Sequence, residues 1–442
     1  MTETTRREFL KTSGSATLGV ALASSVRSVG YTAEDNTVKI ALVGCGGRGT
    51  GAVANALQTA GPTKLWAVAD VFSHHIENSL TALSNKFKSQ IEVPKERRFV
   101  GFDAYKKAVD SLDKHDVVIF ATPPVFRPLQ LEYAVNRGVN VFMEKPFAVD
   151  VPGVLKIKAA GEMADQKNLK IAGGLIGRHF RPLEEAVRQI HDQKIGDVLA
   201  CYAYRMQGSV ALKKGEPGIS ELGYQIVNYS GFIWLSGGFL VEWMIQNMDT
   251  CCWVKGGWPV SVQGMGGRHV RTEADQLFDH YMAEYTFVDG TRMIVQGRQM
   301  MRCWDYFGDT IQGLSGSALL GEGLHQPTLF KGYIQNQANE IWTYRGPGCD
   351  AYQREQDRFF EAIRNNTPYN ESGRCADACL TAVMGRMACE SGRVVTREQA
   401  LKSTIQLAPL LEQMNSLHDA PPVLPDADGH YPIAKPGFNS VI

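Results

Sequence analysis

The stretch Thr37 to Gly51 reads TVKIALVGCGGRGTG, an alternating apolar run that stops at Gly44, Cys45, Gly46, Gly47, Arg48, Gly49. This is a G-x-G-x-x-G placed where a strand hands over to a helix. The first glycine permits the tight turn, the second lets backbone N–H groups approach a pyrophosphate, and the third lets the helix pack close to the sheet. The helix N-terminus then carries part of the phosphate charge. The next predicted strand, Lys64 to Ala69, ends in Asp70, whose carboxylate can accept both ribose hydroxyls of an adenosine and would repel a 2′-phosphate. The order strand, turn, helix, strand, acid predicts an NAD site rather than an NADP site. The plainer alternative is a structural turn with a solvated Asp70.

Working outward, helical patterning runs through His74 to Phe87, followed by a loop at Val93 to Arg98 and a helix near Ala104 to Ser111. Asp116 to Ala121 is a continuous apolar strand suited to a buried parallel sheet, and it ends at Thr122, Pro123, Pro124. A helix from Arg127 to Asn136 closes at Gly138, and the strand Asn140 to Met143 runs into Glu144, Lys145, Pro146. Alternation at this spacing implies right-handed crossovers and a doubly wound parallel sheet. Ligands bind off the carboxyl ends of such strands, where Gly44, Asp70, Thr122 and Glu144 all fall.

From about Lys170 the pattern changes. Val198 to Met206, Val260 to Met265, and the pair Tyr281 to Val288 and Arg292 to Gln296 read as strands, with Asp289-Gly290 making the pair an antiparallel hairpin. Helices are expected at Tyr352 to Asn365 and Cys375 to Glu390. The chain therefore divides into residues 1–34, an NAD-binding Rossmann domain over 36–170, an α+β domain with a large mainly antiparallel sheet over 171–420, and an extended tail over 421–442 rich in Pro, Asp and Gly.

Residues 5–11 read TRREFLK and precede a weakly apolar stretch, Ala16 to Ala23, too short to span a bilayer as a mature helix. This looks like a twin-arginine export signal, which would place the mature protein in the periplasm or otherwise outside the cytoplasm. That route carries folded proteins, so a nucleotide would be acquired in the cytoplasm and is expected to be held tightly. Apart from the signal, no membrane contact is expected. Lys plus Arg equals Asp plus Glu, 46 against 46, which gives no basis for a nucleic-acid surface. The nine cysteines contain no C-x-x-C pair and are expected to remain thiols.

With Gly44 to Gly49, Asp70, Ala121-Thr122-Pro123 and Glu144-Lys145-Pro146 in order, the chain resembles the Gfo/Idh/MocA family of glucose-fructose oxidoreductases and inositol dehydrogenases, from Val38 to about Val395. The resemblance implies that Thr122, Pro123, Glu144 and Lys145 border the cofactor, that Pro146 is often cis, and that Lys145 faces the nicotinamide and substrate. An ammonium there can hydrogen-bond a reacting hydroxyl or relay its proton. Glu144 is expected to orient Lys145 or the cofactor ribose.

Family members commonly carry an acid at the position of Glu242 and a histidine four residues on. Here that residue is Gln246, an amide with no proton to exchange near neutral pH. Either Lys145 is the base alone, or His179 supplies an imidazole, or dehydrogenase activity is lost. Arg178, next to His179, is a candidate clamp for a substrate oxygen. The loop Gln207 to Tyr229, with Lys213, Lys214, Glu216, Glu221, Tyr224 and Asn228, is a candidate sugar-binding segment, and Trp234, Trp243, Trp253 and Trp258 lie near enough in sequence to offer stacking faces. No histidine or acid spacing implies a metal. Gly313-Leu314-Ser315-Gly316 comes close to a nucleophile elbow and reads as strand and turn.

Three functions remain open at this level: an oxidoreductase acting on a sugar, glycoside or polyol; a redox-neutral glycoside hydrolase that oxidises, eliminates, hydrates and reduces; and a non-catalytic NAD-binding protein. A homo-oligomer is expected, because one face of a large antiparallel sheet commonly packs on a second copy.

Overall fold

The apolar run before Gly44 forms β1 (Val38–Val43), and its neighbours in the sheet are equally buried: β2 (Thr63–Asp70), β4 (Val117–Phe120) and β5 (Asn140–Met143). With β3 (Arg98–Val100) and β6 (Ile171–Gly173) they make a six-stranded sheet of order β3-β2-β1-β4-β5-β6, parallel throughout. Helices α1 (Gly47–Ala56), α2 (Ser73–Phe87), α3 (Ala104–Asp110), α4 (Arg127–Arg137) and α5 (Val151–Gln166) cross between the strands. α4 ends at Gly138 in the left-handed conformation, as the sequence predicts. The strand order reverses between β1 and β4, which is where a doubly wound sheet opens its ligand crevice. The computed structural model describes residues 36–215, 218–321 and 326–439; the segment 1–34 read as an export signal, and Glu216, lie outside the described residues.

The second sheet has nine strands in the order β14-β13-β12-β11-β7-β10-β9-β8-β15. These are β7 (Val198–Gln207), β8 (Ser261–Gly267), β9 (His280–Thr286), β10 (Arg292–Gln299), β11 (Tyr306–Gly313), β12 (Gly316–Gly321), β13 (Thr328–Lys331), β14 (Glu340–Thr343) and β15 (Val395–Thr396). Every pairing is antiparallel except β10 with β7, so the sheet is mixed and mainly antiparallel. The Asp289-Gly290 hairpin joins β9 to β10 with Gly290 at φ +85°. Leu314-Ser315 is the turn between β11 and β12, as read from the sequence.

Two differences from the sequence reading have physical causes. Arg98, placed at the end of a loop, begins β3, an edge strand of three residues that pairs with the end of β2 and is too short to show alternation. The sixth parallel strand begins at Ile171, just past the predicted boundary at 170, because β6 docks on β5 through Val141 and Ile171.

The remaining α-helices among the described residues are α6 (Arg181–His191), α7 (Glu221–Val227), α8 (Ile233–Ser236), α9 (Phe239–Glu242), α10 (Ile245–Lys255), α11 (Ala351–Arg364), α12 (Ser372–Ser391) and α13 (Arg397–Leu401). α10 and α12 are buried nearly all round, which removes any one-sided apolar pattern. α12 packs on α5 and on β8, and α10 on β7 and β11, so this helical layer joins both sheets into one core. All nine cysteines are free. The segment after Ser403 is largely irregular and seats Met414 and Tyr431 against Phe232 and Trp234 in a smaller apolar cluster. No helix among the described residues is long and apolar enough to cross a membrane.

Candidate active site

A cleft of about 980 Å³ runs along the carboxyl ends of β1, β2, β4 and β5 and continues to a wall built by β7, β11 and the α9–α10 segment. At one end lies the glycine loop. Gly44 has φ +93°, and a Cβ there would come 2.6 Å from the Ala121 carbonyl carbon; a Cβ on Gly49 would come 2.1 Å from Gly44 O. Larger residues at either position would push the loop off the sheet. Gly46 and Gly47 have nothing within 4 Å of a Cβ position, and α1 begins there with no side-chain cap and no acid in its first turn. Unpaired N–H groups at an open helix start fit a pyrophosphate.

Asp70 ends β2 with its carboxylate fixed by two backbone donors. Cys45 N donates to Oδ2 at 2.7 Å and Phe72 N to Oδ1 at 2.9 Å. His75 Nδ1 is 3.3 Å from Oδ1. Each oxygen keeps a lone pair for a ribose hydroxyl. Burial, with Asp70 beside it, pushes the Cys45 thiol well up, so it is no nucleophile.

Further along, Thr122 Oγ1 donates to Gln130 Oε1 at 2.8 Å, and Pro123 lines the cleft. Arg48 Nε donates to the buried Glu144 Oε1 at 2.6 Å while its guanidinium lies 4.2 Å from the Tyr352 ring centroid. Glu144 thus pairs with the glycine loop and not with Lys145. The Lys145–Pro146 peptide is cis.

At the second-domain wall, Lys145 Nζ donates to Glu242 O at 2.6 Å and lies 3.4 Å from Glu242 Oε1. Tyr229 OH donates to the same Oε1 at 3.1 Å. The other oxygen, Oε2, is buried with no hydrogen-bond partner among the described residues. The adjoining Glu242 charge and burial raise the Tyr229 hydroxyl, which therefore stays protonated and donates. Gln246 lines the cleft and donates from Nε2 to Gly174 O at 3.0 Å. Arg205, Lys213, Trp243 and Phe307 complete this end.

Four residues singled out from the sequence are placed elsewhere. His179 is 2 % exposed and lines no part of the cleft. Its Nε2 sits 3.8 Å from Glu355 Oε1 and 3.7 Å from Glu371 Oε1, with no hydrogen bond. Desolvation, reinforced by Arg374, Arg358, Arg354 and Arg178, lowers this imidazole to about 3 and leaves it neutral. Burial and the neighbouring Glu144 and Glu371 charges push the Glu355 carboxyl well up, so it is uncharged too. Arg178 is committed to a two-pronged bond with Asp249 on α10, at 2.7 and 2.8 Å, and lies over Trp253.

Tyr224 packs edge-on against Phe232 in the small apolar cluster. Asn228 is buried and binds the backbone of Lys213, accepting from its N–H at 2.7 Å and donating to its carbonyl at 3.1 Å. It therefore shapes the loop and does not face a substrate. Of the four tryptophans, only Trp243 reaches the cleft; Trp234 is core, Trp253 lies under Arg178, and Trp258 packs on the core.

Tyr229 and Arg127 are cleft residues that sequence reasoning missed. Tyr229 closes the Gln207 to Tyr229 segment read as sugar-binding but was not itself singled out. Arg127 opens a helix, where arginine ordinarily reads as solvated surface; no local signal marks either.

Residues 38–174 match the family described as the oxidoreductase family with an NAD-binding Rossmann fold, Gfo/Idh/MocA. An uncharacterized oxidoreductase of Streptococcus pneumoniae is 31% identical over 182 residues, which is 38% of this chain and 43% of that protein's length. The inositol 2-dehydrogenase of Burkholderia multivorans is 23% identical over 362 residues, covering 78% of this chain and 94% of that one. The scyllo-inositol dehydrogenase of Lactobacillus casei, solved with bound NAD(H) and scyllo-inositol, superposes with a TM-score of 0.60 at 21% identity, over 82% of this chain and 99% of the other. Residues 38–174 thus form a Rossmann domain that matches the NAD-binding oxidoreductase family, and the solved neighbour shares the fold of the chain beyond it.

Proposed function

Proceeding from a Rossmann domain that matches the NAD-binding oxidoreductase family, we propose that the protein moves a hydride between a carbinol carbon of a sugar, glycoside or polyol and a tightly held nicotinamide. The observation that carries this reading is that Lys145, Glu242 and Tyr229, joined by hydrogen bonds, line the same cleft as the Gly44–Gly49 loop and Asp70. Gly46, Gly47 and the start of α1 hold the pyrophosphate, Asp70 the adenosine ribose, and Thr122, Pro123 and Glu144 flank the nicotinamide end. When bound, NAD supplies the hydride acceptor.

The chain's own groups handle the proton. Lys145 Nζ, as the neutral amine, accepts the proton of the reacting hydroxyl as hydride leaves the carbinol carbon, and becomes the ammonium. Glu242 offers its unpartnered Oε2 to a substrate hydroxyl, and its other oxygen fixes Lys145 and Tyr229. Gln246, anchored on Gly174 O, orients without exchanging a proton.

A second reading, redox-neutral glycoside cleavage, is supported by the Tyr229–Glu242 pair. Transient oxidation acidifies the neighbouring C–H, and elimination followed by hydration needs a proton-handling group besides Lys145. Residues 1–34 are read as directing export of the folded, NAD-loaded chain out of the cytoplasm. The outward face of the nine-stranded sheet, bearing the exposed Met265, suits a second copy; a monomer in sedimentation at micromolar concentration would remove that proposal.

The test begins with protein purified without added nucleotide. Denaturation should release one NAD or NADH per chain, read by absorbance and mass. Polyols and aryl glycosides are then screened for reduction of bound NAD at 340 nm and for bond cleavage without net NADH. An empty protein that also fails to bind added NAD would overturn the reading.

A further inference from the structure

Arg127 is 3 % exposed, yet among the described residues no carboxylate lies within ion-pairing distance of it. Its Nη1 donates to Pro146 O and its Nη2 to Thr122 O, while Nε has no partner. The two arginines of comparable burial behave differently: Arg271 is paired with Asp275, and Arg386 lies 4.0 Å from Glu390. A buried cation held only by neutral carbonyls is costly, and pairing is the usual remedy. Burial works against the Arg127 charge, and Glu242, then Glu144, Tyr229 and Cys379, acting across space, support it.

Its place gives that charge a role. Thr122 follows β4 and Pro146 follows β5, so the guanidinium bridges the two loops that leave neighbouring strands at the cleft floor. With Asp70 and Gly44 marking the adenosine side over β2 and β1, a dinucleotide lying across the switch point puts its nicotinamide over β4 and β5. An oxidised nicotinamide ring carries a formal positive charge and a reduced one carries none. A fixed buried cation beside that position repels only the oxidised form.

We propose that Arg127 is a tuning residue whose permanent charge makes the cleft favour reduced over oxidised nicotinamide and so draws hydride from the substrate. This rests on the functional reading above. Arg127 itself exchanges no proton, and it differs from Lys145 in facing carbonyls and no substrate oxygen.

The experiment measures dissociation constants of NAD⁺ and NADH by fluorescence on nucleotide-stripped protein and compares their ratio among variants. Arg127→Gln, which keeps a donor for the carbonyls but not the charge, should tighten NAD⁺ relative to NADH by about tenfold, equivalent to about 30 mV for a two-electron couple. Arg127→Lys should weaken both nucleotides and preserve the wild-type ratio. Glu242→Gln leaves Arg127 in place and removes the acid that most offsets it, so the ratio should move the opposite way; it carries the test if Arg127→Gln does not fold. A ratio unchanged in Arg127→Gln, or in Glu242→Gln where that is the folded variant, reduces Arg127 to a staple between loops and overturns the inference alone. A wild-type protein that binds neither nucleotide overturns the functional reading with it.

Discussion

Two clusters of titratable side chains contrast within one molecule. In the cleft, Lys145, Glu242 and Tyr229 share hydrogen bonds of 2.6 to 3.4 Å, and Gln246 stands beside them. Around α11, His179 Nε2 lies 3.8 Å from Glu355 and 3.7 Å from Glu371, with the imidazole and Glu355 buried and Arg374, Arg358, Arg354 and Arg178 nearby. The first cluster is hydrogen-bonded and lines the cleft; the second has its His and one Glu neutralised by burial. Residue type makes both look catalytic. Access and the sign of the neighbouring charges separate them.

The strongest test of that contrast is Lys145→Met. We expect a loss of about 10²–10⁴-fold in reduction of bound NAD, with nucleotide content unchanged, against a change of less than about threefold for His179→Gln. Equal losses in the two variants would erase the distinction.

The buried cluster should instead register in stability against pH. A histidine whose pKa is lowered on folding, from 6.5 to about 3, contributes stability that is complete above 6.5 and lost as the pH falls. A carboxyl raised on folding, as at Glu355 from 4.5, contributes below 4.5 and loses it as the pH rises. Between those two unfolded-state values the slopes oppose, each about 1.4 kcal/mol per pH unit. Glu355→Gln should therefore give unfolding free energies that rise with pH in this window, and His179→Gln energies that fall. Chemical denaturation at three pH values checks the signs, and two flat profiles would show that neither group is neutral in the fold.

Smaller effects refine the cleft itself. Tyr229→Phe removes one hydrogen bond to Glu242 and should lower the hydride-transfer rate roughly tenfold, measured at saturating substrate. Gln246→Ala should cost about 1 kcal/mol of stability through the lost bond to Gly174 O, with the rate changed by less than about threefold; a larger loss would make the amide a participant in the chemistry.

The Rossmann half was largely legible because its signals are local. Gly44 must turn, Gly49 must lie against Gly44 O, and Asp70 must end the next strand, and all three needs are written in adjacent residues. Lys145, Glu242 and Gln246 were reached through spacing and resemblance, and the cleft does bring them together. Arg178, His179, Tyr224 and Asn228 were misplaced because a polar residue near a motif gives no sign of whether it turns to the cleft or to its own scaffold. Asp249, which engages Arg178, is 71 residues away. Glu242 and Gln246, read as one helical face, end α9 and lie in the first turn of α10 respectively, and burial of α10 on all sides erases the amphipathic period that would mark its bounds.

By itself the sequence determined the parallel sheet, the glycine loop and the acid at its second strand, since each is dictated by the backbone geometry of a few consecutive residues, while the lysine after the fifth strand was reached through resemblance. Tertiary structure decided which charges meet: Arg48 with Glu144, Tyr229 with Glu242, Arg178 with Asp249, and Arg127 with no acid. Electrostatic energy depends on separation in space and on burial, and neither quantity exists until β4, β5 and α9 have packed around one cleft.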